Sequence, residues 1–158
     1  MLNKAAEESF RKGLEAFRVN GSGLKAMAFF EAALTLDVKE NNDEGQARYR
    51  SYLGLCFVLR DQDLEKGLSL CRQAAEEEFF NPQMWLNLGR AEMKAGHRWR
   101  AHKALVRARR LAPENPDIVR ELQRLGMRRA PFFTFLPRDH WINIWMGKFT
   151  YRTNRNND

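Results

Sequence analysis

The chain has 158 residues, 44% of them hydrophobic, with 10 Gly and 5 Pro. That length predicts one domain with a continuous core, and the composition argues against a disordered chain. The formal charge of +7 is unevenly placed: residues 1–96 hold 13 Lys or Arg against 15 Asp or Glu, residues 97–158 hold 14 against 5. A basic C-terminal half points to an anionic partner, whether nucleic acid, lipid surface or acidic protein. The first ten residues, MLNKAAEESF, carry charges where a secretory signal is apolar. No stretch reaches the roughly 18 apolar residues that span a bilayer. Cys56 and Cys71 fit a reducing compartment better than a disulfide framework, so the expected location is the cytoplasm.

Residues 3–19 place Phe10, Leu14 and Phe17 at i, i+4 and i+7, one face of a helix, with Asn3 as its N-cap. Asn20-Gly21-Ser22-Gly23 ends it. In the next helix, Leu24–Leu36, Ala26, Phe30 and Ala33 alternate small, large and small, which lets two helices approach closely. The polar stretch Lys39–Gly45 reads as a linker. A helix from Gln46 to Leu59 follows, carrying Leu53-Gly54 and Phe57, and Asp61-Gln62-Asp63 turns the chain. The helix from about Leu64 to Glu78 repeats the alternation with Gly67, Cys71 and Ala74. Phe79-Phe80-Asn81-Pro82 closes it and opens a third hairpin. Beyond that hairpin Asn115 or Asp117 caps a last helix, with Pro116 in its first turn. Its apolar stripe is Ile118, Val119, Leu122 and Leu125, and Gly126 serves as C-cap.

In the third hairpin, Trp85, Leu88, Gly89, Ala101, Leu105, Ala108 and Pro113 stand at the spacing W-x2-L-G-x2-Y…A-x3-F…A…P. On these residues the chain resembles the tetratricopeptide repeat family, with Glu92 replacing the usual aromatic. One such hairpin cannot bury its apolar face alone, so neighbours are expected. They read as repeats at about 3–37, 46–80 and 82–115, with a capping helix at 116–126. The expected fold is all-α: a superhelical solenoid of three repeats in residues 1–126, followed by an aromatic and basic tail, 127–158.

The resemblance implies a non-catalytic protein–protein adaptor or scaffold in which the first helix of each repeat lines a groove for a peptide or helix. Mapped position by position, the groove residues are Phe10, Leu14 and Phe17, then Ser51, Leu55 and Val58 beside Arg48 and Leu59. Leu86, Arg90, Met93 and Lys94 follow, beside Gln83. So read, the groove is apolar at one end and basic at the other, a fit for an apolar anchor with a charged rim. Family members that hold a chaperone's C-terminal carboxylate use Lys and Asn early in the groove. Phe10 and Leu14 occupy those places, which argues against that activity.

No catalytic constellation is visible. There is no glycine-rich phosphate loop and no G-x-S-x-G, and His97, His102 and His140 lack Cys or carboxylate neighbours at metal-ligand spacing. The expectation is therefore no enzyme, no metal and no cofactor, with Cys56 and Cys71 as buried thiols. Arg100, Lys103, Arg107 and Arg110 form an outward helix face with no accompanying aromatic, which reads as solvated and disfavours nucleic acid. The tail, RAPFFTFLPRDHWINIWMGK at its centre, is similar to tails of short bacterial repeat proteins. Its Phe132, Phe133, Phe135, Trp141 and Trp145 need cover, either by packing on the last repeats or by docking in a groove of this chain or a second copy. A membrane surface ranks below these. The expected partner is another protein. The alternatives are peripheral membrane or nucleic-acid association through the basic half, and a chaperone-like holder of a partner protein.

Overall fold

The structure, a computed structural model, describes residues 3–20, 23–39 and 45–126. The chain divides into two units, Met1–Gly126 and Met127–Asp158, and the described residues belong to the first. They form seven helices: α1 (Lys4–Asn20), α2 (Leu24–Lys39), α3 (Gln46–Leu59), α4 (Leu64–Glu77), α5 (Pro82–Lys94), α6 (Arg98–Leu111) and α7 (Pro116–Leu125). The all-α solenoid expected from the sequence is the fold observed. The turn at 21–22, the linker at 40–44 and the tail from 127 lie outside the described residues.

Local chemistry sets most helix starts. Asn3 Oδ1 accepts from the backbone N–H groups of Ala5 (2.9 Å) and Ala6 (3.2 Å), and Asp63 Oδ1 accepts from that of Lys66 (2.9 Å). Asn81 and Asn115 do the same for Gln83 and Asp117, each at 3.0 Å, with a proline next in the first turn. Each such cap is worth about 1 kcal/mol because it satisfies a donor that the helix leaves open. The other three lack one: α2 starts after Gly23, which has no side chain, and α3 after Gly45 and α6 after His97, neither of these two with a side-chain cap. Those three depend on packing.

The helices pair as hairpins, α1 with α2, α3 with α4 and α5 with α6. Successive hairpins meet through α2 on α3 and through α5 on both α3 and α4, and α7 rests on α6 and α5. Small residues decide how closely the partners of a hairpin approach. A Cβ on Gly54 would stand 2.6 Å from the carbonyl oxygen of Gly67, and a Cβ on Gly67 the same distance from that of Gly54. In the third hairpin the ring-sized space above Gly89 is filled by Leu105, whose Cδ2 would be 2.6 Å from an added Cβ.

Three apolar seams follow from this stacking. The first joins α1, α2 and α3 through Phe10, Phe30, Tyr49 and Leu53; the second joins α3, α4 and α5 through Leu55, Val58, Leu68 and Met84. The third joins α5, α6 and α7 through Leu86, Leu105, Ile118 and Leu125. Each fully buried side chain of this size contributes about 1.5–3 kcal/mol. The last seam keeps α7, only 10 residues long and marginal by itself, in place.

Candidate partner-binding faces

The first helices α1, α3 and α5 hold the residues named for the groove, and the structure divides them. Phe10 (4% exposed), Leu55, Val58 and Leu86 are buried in the seams and Ser51 is buried beside Asn87, so these five are core and not a presented surface. The reason is the reach of the next helix. Phe10 lies 5.0 Å from the Tyr49 ring and 5.5 Å from Tyr52, centroid to centroid, so α3 covers the very positions that α1 turns toward it. Leu14, Phe17, Arg90 and Met93 remain half-buried and Lys94 is exposed.

The cations on this layer are already paired. Arg90 Nε donates to Glu121 Oε1 at 3.0 Å and its other arm lies 3.7 Å from Asp117; Lys94 Nζ donates to Asp61 Oδ2 at 2.9 Å. Arg48 donates to Glu7 Oε2 at 3.2 Å, which also accepts from the Tyr49 hydroxyl at 3.2 Å. The basic end expected from the sequence is therefore neutralised from within, by Glu121 and Asp117 on α7 and Asp61 in the turn before α4. Burial and the carboxylates of Asp37 and Glu7 push the Tyr49 phenol upward, so it stays a donor.

Sequence reading missed a polar rung on the same layer. Asn87, fully buried, donates to Ser51 Oγ at 3.1 Å and accepts from Gln83 Nε2 at 2.9 Å. Half-buried Tyr52 stands beside it, its phenol raised by burial and lowered in part by Arg90, Arg18 and its bond to Asn87. The available signal was a single Asn between Leu86 and Leu88, since a buried amide must find partners.

The outward side of the third hairpin is different. Arg107 lies flat over Phe79, its Cζ 3.3 Å from the ring centroid and 4.8 Å from that of Trp85, whose Nε1 donates to the Phe79 carbonyl at 2.8 Å. Arg107 Nε is buried and makes no hydrogen bond; ring faces surround it instead. Two turns away along α6, Trp99 stacks on His102 with Lys103 6.0 Å above it. The basic stripe thus does have aromatic company, contrary to the sequence reading, because Phe79 arrives from the preceding turn.

With this geometry in hand, the likenesses to solved structures are consistent. The Arabidopsis OM64 TPR domain superposes with a TM-score of 0.60 at 22% identity, over 78% of this chain and 95% of that one. PcrH from Pseudomonas aeruginosa gives 0.56 at 21%, over 80% and 89%. The second TPR domain of human RPAP3 gives 0.56 at 16%, over 78% and 99%. This is the tetratricopeptide-repeat fold. No protein-family profile matches the sequence, and no curated protein sequence matches it either.

The one departure from the repeat pattern has a structural answer. Glu92 takes the place of the repeat's aromatic and is almost fully buried, yet its carboxylate accepts two bonds from Arg72 of α4, at 3.0 and 2.7 Å. Its second oxygen lies 2.7 Å from His97 Nδ1 in the turn after α5. A ring would fill this tetratricopeptide position by packing; here a charge network spans the same gap. His97 therefore has a carboxylate neighbour that spacing alone concealed, although no group of three His, Cys, Asp or Glu placed to hold a metal occurs among the described residues.

Cys56 and Cys71 are both buried and free. Burial pushes the Cys56 thiol up to about 12 and moves Cys71 the same way, so neither is a ready nucleophile. No helix among the described residues is long and apolar enough to cross a membrane. Phe132, Phe133, Phe135, Trp141 and Trp145 lie outside the described residues.

Proposed function

We propose that this protein is a non-catalytic interaction module that receives a segment of a partner protein along the layer of α1, α3 and α5. The observation that carries the reading is the set of half-buried Leu14, Phe17, Tyr52 and Met93 on the first helices of three successive hairpins, framed by the ion pairs of Arg48, Arg90 and Lys94. Side chains already held by neighbours lose little freedom on binding, so apolar area on such a frame converts efficiently into affinity. The same fold supports the reading: RPAP3 is seen with the HSP70 peptide SGPTIEEVD and PcrH with the chaperone-binding region of PopB. In this chain the favoured ligand is an internal apolar stretch and not a terminal carboxylate. The cations of this layer already hold internal carboxylates, and Phe10 is core. On this reading residues 1–126 are the receptor domain in the cytoplasm, and 127–158 are a separate tail.

The test is a peptide-display selection on the full chain, with selected peptides then titrated against variants. Leu14→Glu and Met93→Glu are expected to weaken binding about tenfold or more each, while Lys25→Glu on α2 leaves it unchanged. Peptide SGPTIEEVD is expected to bind no better with a free carboxylate than amidated. Wild-type affinity in both Glu variants, with the helical circular dichroism retained, overturns the reading. So does a strong preference for the free carboxylate.

A further inference from the structure

The outward face of α6 stands apart from the layer just described. Arg98, Arg100, Lys103, Arg107, Arg109 and Arg110 make six cations in 14 residues, with no Asp or Glu in the helix. Among the described residues none of the six is paired with a carboxylate. Arg98 and Arg100 even oppose the helix dipole at its N-terminus, an arrangement that local stability does not favour. Arg98 is relieved by donating to the Leu125 carbonyl at the end of α7. Among the described residues, Arg100, Lys103 and Arg110 have no such relief.

Two large apolar side chains flank these cations in the open. Trp99 is 64% exposed and Phe80 is 81% exposed. Trp99, Lys103 and Arg107 follow i, i+4 and i+8, so they share one stripe, and Phe79, which Phe80 meets edge-on, lies on Arg107 at the far end. Trp and Arg are the residues most enriched at binding hot spots, because each offers area and a fixed geometry at once. Arg107 is already immobilised by its stack, so its charge is presented at little entropic cost.

We propose that this face is a second docking surface, and that its occupant is an acidic segment of a partner protein with aliphatic side chains between its carboxylates. Carboxylates would meet Arg100, Lys103 and Arg110, and the aliphatic groups would cover Trp99 and Phe80. Charge complementarity selects an anionic occupant. Glu76, exposed and four residues before Phe80 in the chain, bears on the choice among anions; its neighbours Glu77 and Glu78 are bonded to Arg50 and Asn81. An anionic membrane or an unbroken phosphate chain that also covered the Glu76 segment would meet its carboxylate, whereas a peptide can place its carboxylates over α6 alone. The surface faces away from the partner-binding layer, so one protein would bridge two others.

The full chain is titrated with a labelled helical peptide of about 15 residues built from Glu and Leu, long enough to hold helical form. Its Gln-for-Glu counterpart, a thymidine oligonucleotide of about 20 nucleotides and phosphatidylserine vesicles are titrated alongside. The part of the tryptophan fluorescence change that Trp99→Phe removes reports contact directly. The expected result is saturable binding of the Glu peptide, weakened about tenfold by Trp99→Ala or Lys103→Glu, lost with the Gln peptide and reduced by salt. Lys25→Glu, with the same change in net charge, is expected to have no effect. Equal or tighter binding of the oligonucleotide or the vesicles overturns the proposal, as does binding of the Gln peptide or equal weakening by Lys25→Glu. Circular dichroism melts confirm that the exposed positions change without loss of fold.

Discussion

The two helices of the third hairpin use charge in opposite ways. On α5, Arg90, Glu92 and Lys94 all have partners outside the helix: Glu121 and Asp117 on α7, Arg72 on α4 with His97 in the following turn, and Asp61 in the turn before α4. On α6, six cations stand without a carboxylate partner among the described residues, and the one that is most covered is held by aromatic rings. Both helices look basic in the sequence. The lesson is that a count of charges says little about which are available. Pairing across helices removes one set from use and leaves the other facing water.

The comparison can be broken most directly at Arg72. Arg72→Met keeps the aliphatic stem but leaves the buried Glu92 carboxylate with His97 alone, and the expected loss is about 2–3 kcal/mol of stability in urea unfolding. The figure sits at the low end for a buried pair because Arg72 is itself partly exposed. Arg100→Met on α6 is expected to stay within about 0.5 kcal/mol of wild type. Equal losses at the two sites would erase the distinction.

Alkaline pH separates burial from charge pairing. The Cys56 thiol titrates near 12 in the folded chain against 9.0 ordinarily, so above about pH 9 the unfolded state releases a proton that the folded state keeps. Stability is therefore full below pH 9 and falls as pH rises toward 12, by on the order of 1–2 kcal/mol at pH 10.5. Cys56→Ala should reduce that slope by roughly half in urea midpoints measured from pH 8 to 10.5, with Cys71, raised by burial in the same way, supplying the rest. An unchanged slope would place the alkaline loss elsewhere.

The smallest expected effect sharpens the α6 side. Arg107→Ala removes the stack on Phe79 and Trp85 and should cost about 1 kcal/mol, with a change in near-ultraviolet circular dichroism from Trp85. Arg110→Ala should change neither. A silent Arg107→Ala would make the stack a bystander.

Much of the fold was legible in the chain. The spacing of Trp85, Leu88, Gly89, Ala101, Leu105 and Ala108, and the echo of small residues at Ala26, Ala33, Gly67 and Ala74, are local patterns, and close helix packing needs small residues wherever it occurs. The cap Asn3 was equally plain, and Asn115 stood as one of two candidates with Asp117, since a cap acts within three residues of itself. The candidate faces were less so. Leu55 and Leu86 stand at groove positions, yet the seams bury them, because exposure depends on the helix packed alongside and not on the residue's own helix.

The sequence by itself therefore determined the helices, their hairpin pairing and the repeat, because 3.6-residue periodicity and small-residue spacing act over short range. Only the tertiary structure decided which apolar groove positions became core. It also decided that Glu92 meets Arg72 and His97, that Arg90 and Lys94 are neutralised, and that Phe79 covers Arg107. Each of those joins side chains on different elements, from 5 to more than 30 positions apart, and no local pattern encodes such a distance.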